Sequence, residues 1–483
     1  MRNVARLTPI AVLTADLMQR IQFPDHLIWG AATAAFQIEG AANLDGKAPS
    51  IWDRFTARRG RILDGTDASV ACDHYRRYRE DLELMAALGL GAYRFSIAWP
   101  RVISSPARRL NRLGLDFYER LVDGLLARGI RPFATLYHWD LPWFEQQRGG
   151  WESRDTVWRF ADYAETAARA LGDRVKHWVT INEPLTIATA GYVSGDHAPG
   201  RHLPLLALRV AHHLLLAHGA GLQRLRAHVP DAEIGPALNL FPVLPRRRSD
   251  VRLAERIDAL ANRLFADPIL AGSYPAPVRR LLSIYRRTLR PGDLALIGQP
   301  VDFVGVNHYS HLIVERNWLP WLGFRLARSL DPNARHTAMD WQIEPRSFLD
   351  TLTWLRERYG NPPVYITENG AAFVDRVESD GSVRDPLRRD YLEGYLFMLH
   401  RALDAGSEVR GYFVWSLLDN FEWSLGLSKR FGLIHVDYRS LRRTPKLSAR
   451  WYADVCRTGG FDLDDALYRS LLATALDHSL ELI

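Results

Sequence analysis

Residues 175–184 read VKHWVTINEP, an apolar run that ends in an asparagine, the glutamate Glu183 and a proline. Its β-branched and aromatic residues indicate a β-strand, and the proline, which has no backbone N–H, ends that strand. Residues 364–370 read VYITENG and repeat the arrangement, with Glu368 after a strand-like run and a glycine closing it. A carboxylate at the rim of a sheet has a rigid base and an open front. The two strings therefore predict one site to which two strands each contribute an acid.

Strand-like and helix-like runs alternate on both sides of these two strings. The runs with strand character are Leu27–Ala32, Ala92–Ile97, Pro132–His138, Val175–Asn182, Glu233–Leu240, Asp302–Asn307, Val364–Thr367 and Val409–Trp415. The helical patterns between them include Asp73–Leu88, Leu115–Arg128, Thr156–Leu171, Leu205–His228, Arg346–Tyr359 and Arg388–Ala405. Such alternation indicates an α/β protein with a parallel sheet. Because no glycine-rich phosphate loop follows the first strand, we predict a closed (β/α)8 TIM barrel rather than an open doubly wound sheet.

Long loops are expected at one end of this barrel. The chain has 483 residues, and a typical barrel of this kind needs only about 250. The insertions fall after strand ends, at residues 40–72, 184–204, 308–345, 369–387 and 416–435, which is the rim where such barrels place their catalytic residues. We predict one barrel domain over residues 23–457, an N-terminal extension over 1–22 and a C-terminal extension over 458–483, the latter with a helical pattern from Leu463 to Leu482.

Composition argues against several classes of partner. Only four of the 62 Lys and Arg residues are lysines, a bias that favours a GC-rich bacterial genome over nucleic-acid binding, and there is no zinc-finger spacing or long basic helix. No apolar run approaches the roughly 20 residues that span a bilayer. We therefore expect neither a nucleic-acid partner nor a membrane. Assembly into a homo-oligomer stays open.

Cofactors and disulfides are not expected either. The sequence has no His-Glu-x-x-His, no Cys-x-x-Cys and no nucleotide loop, so no metal and no organic cofactor are predicted. Cys72 and Cys456 are the only cysteines, which fits a reducing compartment. We predict a cytoplasmic protein.

Polar and aromatic side chains gather at the predicted strand ends. In chain order they are Gln37, Arg94, His138, Trp139, Asn182, Glu183, Asn307, Tyr309, Glu368 and Trp415, followed by Glu422 and Trp423. Taken singly, His138 is compatible with a core histidine, Arg94 with a structural ion pair and Glu422 with a surface acid. Together they predict a common site, because the carboxyl ends of barrel strands form one rim. A pair of carboxylates at such a rim favours hydrolysis of a glycosidic bond.

The chain resembles glycoside hydrolase family 1, the β-glucosidase/β-galactosidase family, from about Phe23 to Tyr452. Both glutamate strings carry the resemblance, together with ATAAFQIEG at 32–40, SIWD at 50–53, YRFSIAWPR at 93–101, LYHWDLP at 136–142 and WSLLDNFEW at 415–423. The resemblance implies a retaining β-glycosidase that acts on terminal non-reducing β-D-glucosyl residues through a covalent glycosyl-enzyme. Galactosyl and fucosyl substrates stay open.

The resemblance also implies a role for each rim residue. Glu183 matches the general acid/base and Glu368 the nucleophile, with Arg94, Asn307 and Tyr309 in support. The positions that match ligands or walls of the sugar pocket are Gln37, His138, Asn182, Trp415, Glu422 and Trp423. The aglycone side is assigned to Trp139, Trp321, Trp341 and Phe431. For the apolar insertion at residues 318–324, which contains Trp321, packing over the barrel rim or a contact between subunits is an equal alternative. At residues 307–309 the chain reads Asn-His-Tyr where the family usually has Asn-Tyr-Tyr, a departure expected to affect only local packing.

Three alternatives bear on substrate and activity. Relatives that cleave 6-phosphoglycosides carry a small hydroxyl residue in place of Glu422 and a tyrosine in place of Phe431, so this chain is expected to take a neutral sugar. A non-catalytic sugar-binding barrel is disfavoured because both glutamates are present. A transglycosidase, in which an acceptor sugar or alcohol replaces water, is an alternative on the same scaffold.

Overall fold

The computed structural model describes residues 18–284, 289–317, 323–327 and 333–476. Eight parallel strands form a closed barrel at its centre. They are β1 Ile28–Ala32, β2 Ala92–Ser96, β3 Arg131–Tyr137, β4 His177–Asn182, β5 Glu233–Asn239, β6 Val304–Asn307, β7 Val364–Asn369 and β8 Val409–Trp415. Each strand pairs with the next along the chain, and β8 pairs with β1 to close the ring. The predicted (β/α)8 TIM barrel is confirmed.

Helices surround the barrel. The longer ones are α1 His74–Ala87, α2 Arg112–Leu126, α3 Asp155–Leu171, α4 Pro204–His228, α5 Val251–Ala261, α6 Arg263–Leu270, α7 Ala276–Ile284, α8 Arg346–Tyr359, α9 Pro386–Asp404, α10 Leu447–Thr458 and α11 Asp465–Leu476. Shorter α-helices lie in the connections, at Ala35–Ile38, Ile51–Thr56, Trp99–Val102, Trp143–Gln147, Pro184–Thr189 and Asp293–Ile297. The six helices named from the sequence are all present.

Helix α4 corrects one sequence expectation. By length and composition it could cross a membrane, contrary to the expectation that no apolar stretch is long enough to do so. However, 78% of its most apolar window is buried inside the protein, and the helix packs against α3. Its apolar character is that of a core helix.

The interior of the barrel is apolar at its lower end and polar at its upper end. Phe133, Phe303, Tyr365 and Phe413 form an aromatic layer inside the ring, with Phe133 at 4.8 Å from Phe413 and 5.2 Å from Tyr365 between ring centroids. Because side chains alternate along a strand, the next inward positions on β3 and β7 are Thr135 and Thr367, which accept or donate hydrogen bonds toward the upper rim. The aromatic layer therefore lies directly below the polar residues of the upper rim.

Two small sheets cover the upper rim. Val243–Pro245, Leu312–Arg316 and Phe324–Ala327 form a three-stranded sheet, so the insertion at 308–345 folds back on the loop after β5. Ile434–Val436 pairs with Arg443–Pro445 in the loop after β8. These additions surround the opening of the barrel.

The described ends of the chain meet each other below the barrel. Met18–Gln22 pairs antiparallel with Gly460–Asp464, and α11 then packs on the outer helices α8 and α9. Tyr468 contacts Phe397 at 5.7 Å between ring centroids. These contacts join parts of both predicted extensions to the barrel, while the boundaries at 22/23 and 457/458 stay a prediction.

Candidate active site

A cavity of about 590 Å³ opens at the carboxyl ends of the strands. Ten of the predicted site residues line it, namely His138, Trp139, Glu183, Tyr309, Trp341, Glu368, Trp415, Glu422, Trp423 and Phe431. Four more, Gln37, Arg94, Asn182 and Asn307, are fully buried and hydrogen-bonded to lining residues. The remaining predicted residue, Trp321, lies outside the described residues. The other fourteen predicted residues therefore form one continuous site.

Glu368 is the penultimate residue of β7 and lies at a local irregularity of the strand. The pairing of β7 with β6 shifts register between Ile366 and Glu368, and such bulges re-aim side chains at barrel rims. A Cβ on Gly370 would lie 1.8 Å from the Trp415 carbonyl oxygen, so only glycine allows β7 and β8 to approach so closely there. The strand end is therefore built for this one position of the carboxylate.

Two strong donors hold the Glu368 carboxylate. Arg94 Nη1 donates to Oε1 at 2.7 Å, and Tyr309 Oη donates to Oε2 at 2.6 Å. Arg94 is fully buried and Tyr309 is partly buried, beside a carboxylate that is only 3% exposed. A cation and a hydroxyl donor on opposite oxygens stabilise the ionised form. Both oxygens of Glu368 are thus held in fixed positions by hydrogen bonds.

Glu183 has a different setting. It follows β4 with φ of +48°, in the left-handed region that β-strand and helix residues avoid, and directly precedes the helix Pro184–Thr189. Asn307 Nδ2 donates to Oε1 and Thr186 Oγ1 donates to Oε2, both at 2.7 Å. Burial, followed by the nearby charge of Glu368, raises the pKa of Glu183 to about 7. At neutral pH this carboxyl can carry a proton and also release it.

A buried amide network connects the two carboxyl groups. The Asn182 side-chain oxygen accepts from Arg94 Nη2 at 2.6 Å and from Asn307 Nδ2 at 3.1 Å. Arg94 also holds Glu368, and Asn307 also holds Glu183. With its oxygen fixed in this way, Asn182 turns its Nδ2 toward His138 Nε2 at 3.1 Å. The spacing and orientation of the two acids are therefore set by one rigid hydrogen-bonded unit.

Several buried polar atoms near the cavity have no hydrogen-bond partner within the described ranges. They include Gln37 Oε1, His138 Nδ1 and His311 Nδ1. His138 is neutral, because burial and then the charge of Arg94 hold its pKa well below the usual value. Its Nε2 accepts from Asn182, so Nδ1 carries the hydrogen. An acceptor and a donor of this kind suit the hydroxyl groups of a bound ligand.

Glu422 adds a third acid. Its Oε2 accepts from Gln37 Nε2 at 3.3 Å. Burial, followed by the charges of Glu368 and Glu183, raises the pKa of Glu422 to about 8. No Lys or Arg is among the described residues that line the cavity. An anionic group of a ligand would therefore meet three acids and, among the described lining residues, no cation.

Aromatic rings form the walls. Trp415 stacks on His138 with ring centroids 5.7 Å apart and planes 22° apart. Trp423, with φ of +49°, lies 4.5 Å from Trp139 and is stacked on Phe36 at 6.0 Å. On the other side, Trp341 contacts Tyr309 at 5.1 Å and Phe431 at 6.0 Å. The apolar faces of a sugar ring can pack on such walls while its hydroxyls reach the polar floor.

Several residues that line the cavity were not predicted from the sequence. Thr186 and His197 come from the insertion 184–204, Asn239 is the last residue of β5, and Phe241 follows that strand. Others are Ser310, His311, Met339 and Gln342 from the insertion 308–345. Thr186 had a local signal, since it lies three residues after Glu183 at the start of a helix. His308, by contrast, bonds Leu240 and Ser347 outside the barrel ring. No group of three or more His, Cys, Asp or Glu in the described part of the chain is arranged to hold a metal.

The chain is similar to known proteins both in sequence and in structure. A model of the family described as "Glycosyl hydrolase family 1" matches residues 19–461. "Beta-glucosidase A" of Acetivibrio thermocellus is 45% identical over 451 residues, covering 92% of this chain and 100% of that protein. A "Bifunctional beta-D-glucosidase/beta-D-fucosidase" of Bifidobacterium breve is 44% identical, covering 89% and 97%. The solved structure of a beta-glucosidase from Thermotoga maritima in complex with glucoimidazole has a TM-score of 0.86 at 42% identity, covering 91% of this chain and 100% of that one.

Proposed function

This chain belongs to glycosyl hydrolase family 1, and we propose that it is a retaining β-glycosidase that removes terminal non-reducing β-D-glucosyl residues. The observation that carries this proposal is the contrast between the two carboxyl groups. Glu183 has its pKa raised to about 7, whereas Glu368 is held by Arg94 and Tyr309. Two carboxyls in opposite environments are the requirement for acid catalysis beside nucleophilic attack.

In the first step a Glu368 oxygen attacks the anomeric carbon. The bond from that carbon to the leaving oxygen breaks, and the proton of Glu183 moves to the leaving oxygen. The products are the free aglycone alcohol, a glycosyl ester on Glu368 and an ionised Glu183. Hydrogen bonds from Asn182 Nδ2 to the sugar 2-hydroxyl would strengthen as positive charge develops at the anomeric carbon.

In the second step water hydrolyses the glycosyl ester and so displaces Glu368 from the anomeric carbon. Glu183 takes a proton from the water, whose oxygen attacks the anomeric carbon while the bond to Glu368 breaks. Esterification removes the Glu368 charge that helps raise the pKa of Glu183, so Glu183 is a stronger acid in the intermediate and holds its proton less tightly. This change fits its two successive roles, acid and then base. Two displacements return the β configuration.

A neutral hexose is the proposed glycone. The buried acceptor of Gln37 and the donor of His138 are suited to sugar hydroxyls, and Glu422 can accept from two adjacent ones. The acidic, cation-free lining of the described cavity disfavours a phosphorylated sugar. The printed names of the relatives, a beta-glucosidase and a glucosidase/fucosidase, support glucosides first and fucosides second. Hydrolysis of β-D-galactosides is a further part of the proposal.

The alternatives have less support. A non-catalytic sugar-binding barrel does not account for a raised pKa at Glu183 near a carboxylate that Arg94 and Tyr309 hold in place. Nothing in the site favours an acceptor sugar over water, so transglycosylation is not preferred. Both cysteines are free thiols, which supports our proposal of a bacterial cytoplasmic location, and the oligomeric state stays open.

The proposed function is tested on a panel of 4-nitrophenyl glycosides. We expect kcat/KM to be highest for the β-D-glucoside or β-D-fucoside, followed by the β-D-galactoside. The α-D-glucoside and the 6-phospho-β-D-glucoside should be lower by at least about 10³-fold, because a wrong anomer or an uncompensated phosphate in an acidic pocket costs several kcal/mol. Release of 4-nitrophenolate reports all of them. Preference for the α-glucoside or the phosphorylated sugar would contradict the proposal.

Aglycone recognition is tested at Trp321. We propose that Trp321 contributes to aglycone recognition, as do Trp139, Trp341 and Phe431, which line the cavity. Trp321→Ala should then lower kcat/KM about 10-fold for aryl glucosides and less for alkyl glucosides or cellobiose, since aromatic contacts contribute about 0.5–1.5 kcal/mol. Trp158→Ala is the matched control, because Trp158 is 47% exposed on the outer helix α3. Equal losses for all three substrates would refute the aglycone role.

A further inference from the structure

A buried cluster of charges lies behind the loops that follow β7 and β8. It consists of the acids Asp375, Asp385 and Asp419 and the cations Arg388, Arg430 and Lys446. Five of these side chains are no more than 1% exposed, and Arg430 is 22% exposed. Three positive and three negative charges balance. We call these six residues the charge cluster.

Asp419 is the member closest in sequence to the active site. Its Oδ1 accepts from Lys446 Nζ at 2.7 Å and from the Gly432 backbone N–H at 3.0 Å. Its Oδ2 accepts from Arg430 Nη1 at 2.6 Å and from the Val436 N–H at 3.4 Å. Although burial raises the pKa of Asp419, the neighbouring cations, Lys446 first, lower it below its usual value. One ionised carboxylate therefore binds four donors.

The charge cluster fastens two active-site loops to each other. Lys446 Nζ bridges Asp419 to Asp375, at 2.7 and 2.5 Å, and Asp375 lies in the loop after β7. Arg388 binds Asp375 and also donates to the carbonyl oxygens of Ala371 and Arg430. The loop that begins at Glu368 and the loop that carries Glu422 thus share one electrostatic anchor.

The four residues from Asp419 to Glu422 are held at both ends. Asp419 is fixed by the charge cluster, and Gln37 Nε2 contacts the Asn420 side-chain oxygen at 3.0 Å, the Phe421 carbonyl at 2.9 Å and Glu422 Oε2 at 3.3 Å. The Phe421 N–H donates back to the Gln37 carbonyl at 3.1 Å. This short segment has little freedom to move. Any shift of Asp419 would be transmitted over three residues to Glu422.

We propose that Asp419, acting through the charge cluster, is a positioning residue that places Glu422 against the hydroxyl groups of the sugar and so governs glycone selectivity. The inference rests on the proposed glycosidase function. Asp419 does not line the cavity and contacts no reacting atom. Its effect is therefore confined to those hydroxyls that Glu422 binds. A displacement of about 1 Å in a substrate-binding group can cost on the order of 10²-fold in rate.

Deoxy substrates separate this effect from general destabilisation. We expect Asp419→Asn to lower kcat/KM on the order of 10²-fold for an aryl β-D-glucoside. The loss should be clearly smaller for the 4-deoxy or the 6-deoxy β-D-glucoside, whichever lacks a hydroxyl bound by Glu422. In the Glu422→Ala background, Asp419→Asn should change kcat/KM by no more than about threefold, because the two residues act in series. Equal losses for all three substrates, or additive losses in the double variant, would overturn the inference.

Two further variants distinguish the proposed role of Asp419 from a general folding defect. Arg430→Met removes one cation from Asp419 at the most exposed position of the charge cluster, and we expect the same substrate pattern with a smaller loss. Asp293→Asn is the matched control, since Asp293 is a buried acid paired with Arg154 and His212 away from the cavity. It should lower the melting temperature without changing the ratio between substrates; a change of that ratio would overturn the inference. A wild-type enzyme that cleaves no glucoside would refute the proposed function itself, whereas an active wild type with uniform losses refutes only the role of Asp419.

Discussion

Glu368→Ala is expected to lower kcat for 4-nitrophenyl β-D-glucoside by at least about 10⁴-fold, which corresponds to about 5.5 kcal/mol of transition-state stabilisation. The alanine variant has no atom that can form the glycosyl ester, so the two-step route is closed. It also leaves Arg94 without its carboxylate partner, since Arg94 Nη1 donates to Glu368 Oε1 at 2.7 Å. The initial rate of 4-nitrophenolate release measures the loss.

Stability must be compared alongside activity, because an unpaired buried cation is destabilising. Glu368→Gln is the matched variant, since it retains the size of the side chain and an acceptor for Arg94 while a neutral amide cannot act as the nucleophile. It should unfold closer to the wild-type temperature and be as inactive as the alanine variant. Retention of more than a few per cent of wild-type kcat by the folded glutamine variant would refute the nucleophile assignment.

The loss of activity in Glu183→Ala is expected to be large for leaving groups that need a proton and small for those that do not. General acid catalysis contributes typically 10²–10⁴-fold, so kcat/KM for cellobiose or an alkyl glucoside should fall by about 10⁴-fold. For 2,4-dinitrophenyl glucoside, whose leaving group needs no proton, formation of the glycosyl ester should be nearly unaffected and only its hydrolysis should be slow. A burst of dinitrophenolate followed by a slow steady state is the expected time course. An equal loss for both kinds of substrate would contradict the acid role.

The same residue sets the alkaline side of the pH profile. Glu183 must be protonated to act as acid, and its pKa is about 7, so kcat/KM should fall as pH rises above about 7. Glu393→Gln is the matched control, because burial also raises the pKa of Glu393 to about 7 and that residue lies on α9, away from the cavity. The control should retain the wild-type profile. A shift of the alkaline limb in the control would assign the limb to a different group.

The strands and the outer helices could be predicted from the sequence because their signals are local. The predicted strand Val409–Trp415 and helix Arg346–Tyr359 agree with the structure at both ends. Barrel strands are buried apolar runs that end in polar rim residues, and outer helices have one apolar face and a glycine after the last turn, as at Gly360. Both signals are local, so a single sequence contains them.

Elements without such local signals were missed. No helix was predicted between β5 and β6, where the structure has α5, α6 and α7. Pro268 lies inside α6, and a proline normally ends a helical pattern. Helix α6 forms there because tertiary packing outweighs local preference.

The identities of the site residues were predictable, but their mutual arrangement was not. Glutamates at strand ends are visible in the sequence, whereas the positive φ of Glu183 and the register shift before Glu368 arise only when the barrel closes. The Arg94–Asn182 contact joins residues 88 positions apart. The charge cluster around Asp419 likewise assembles from separate loops and leaves no local pattern.

The central claim is that Glu368 is the nucleophile of a double displacement. The most direct test is the anomeric configuration of the glucosyl azide formed when Glu368→Ala is incubated with 2,4-dinitrophenyl β-D-glucoside and sodium azide. Azide that enters the space of the missing carboxylate attacks once, from the face opposite the leaving group. The account predicts rescued turnover with the α-glucosyl azide as product, read from its anomeric proton by NMR. Formation of the β-glucosyl azide would contradict it.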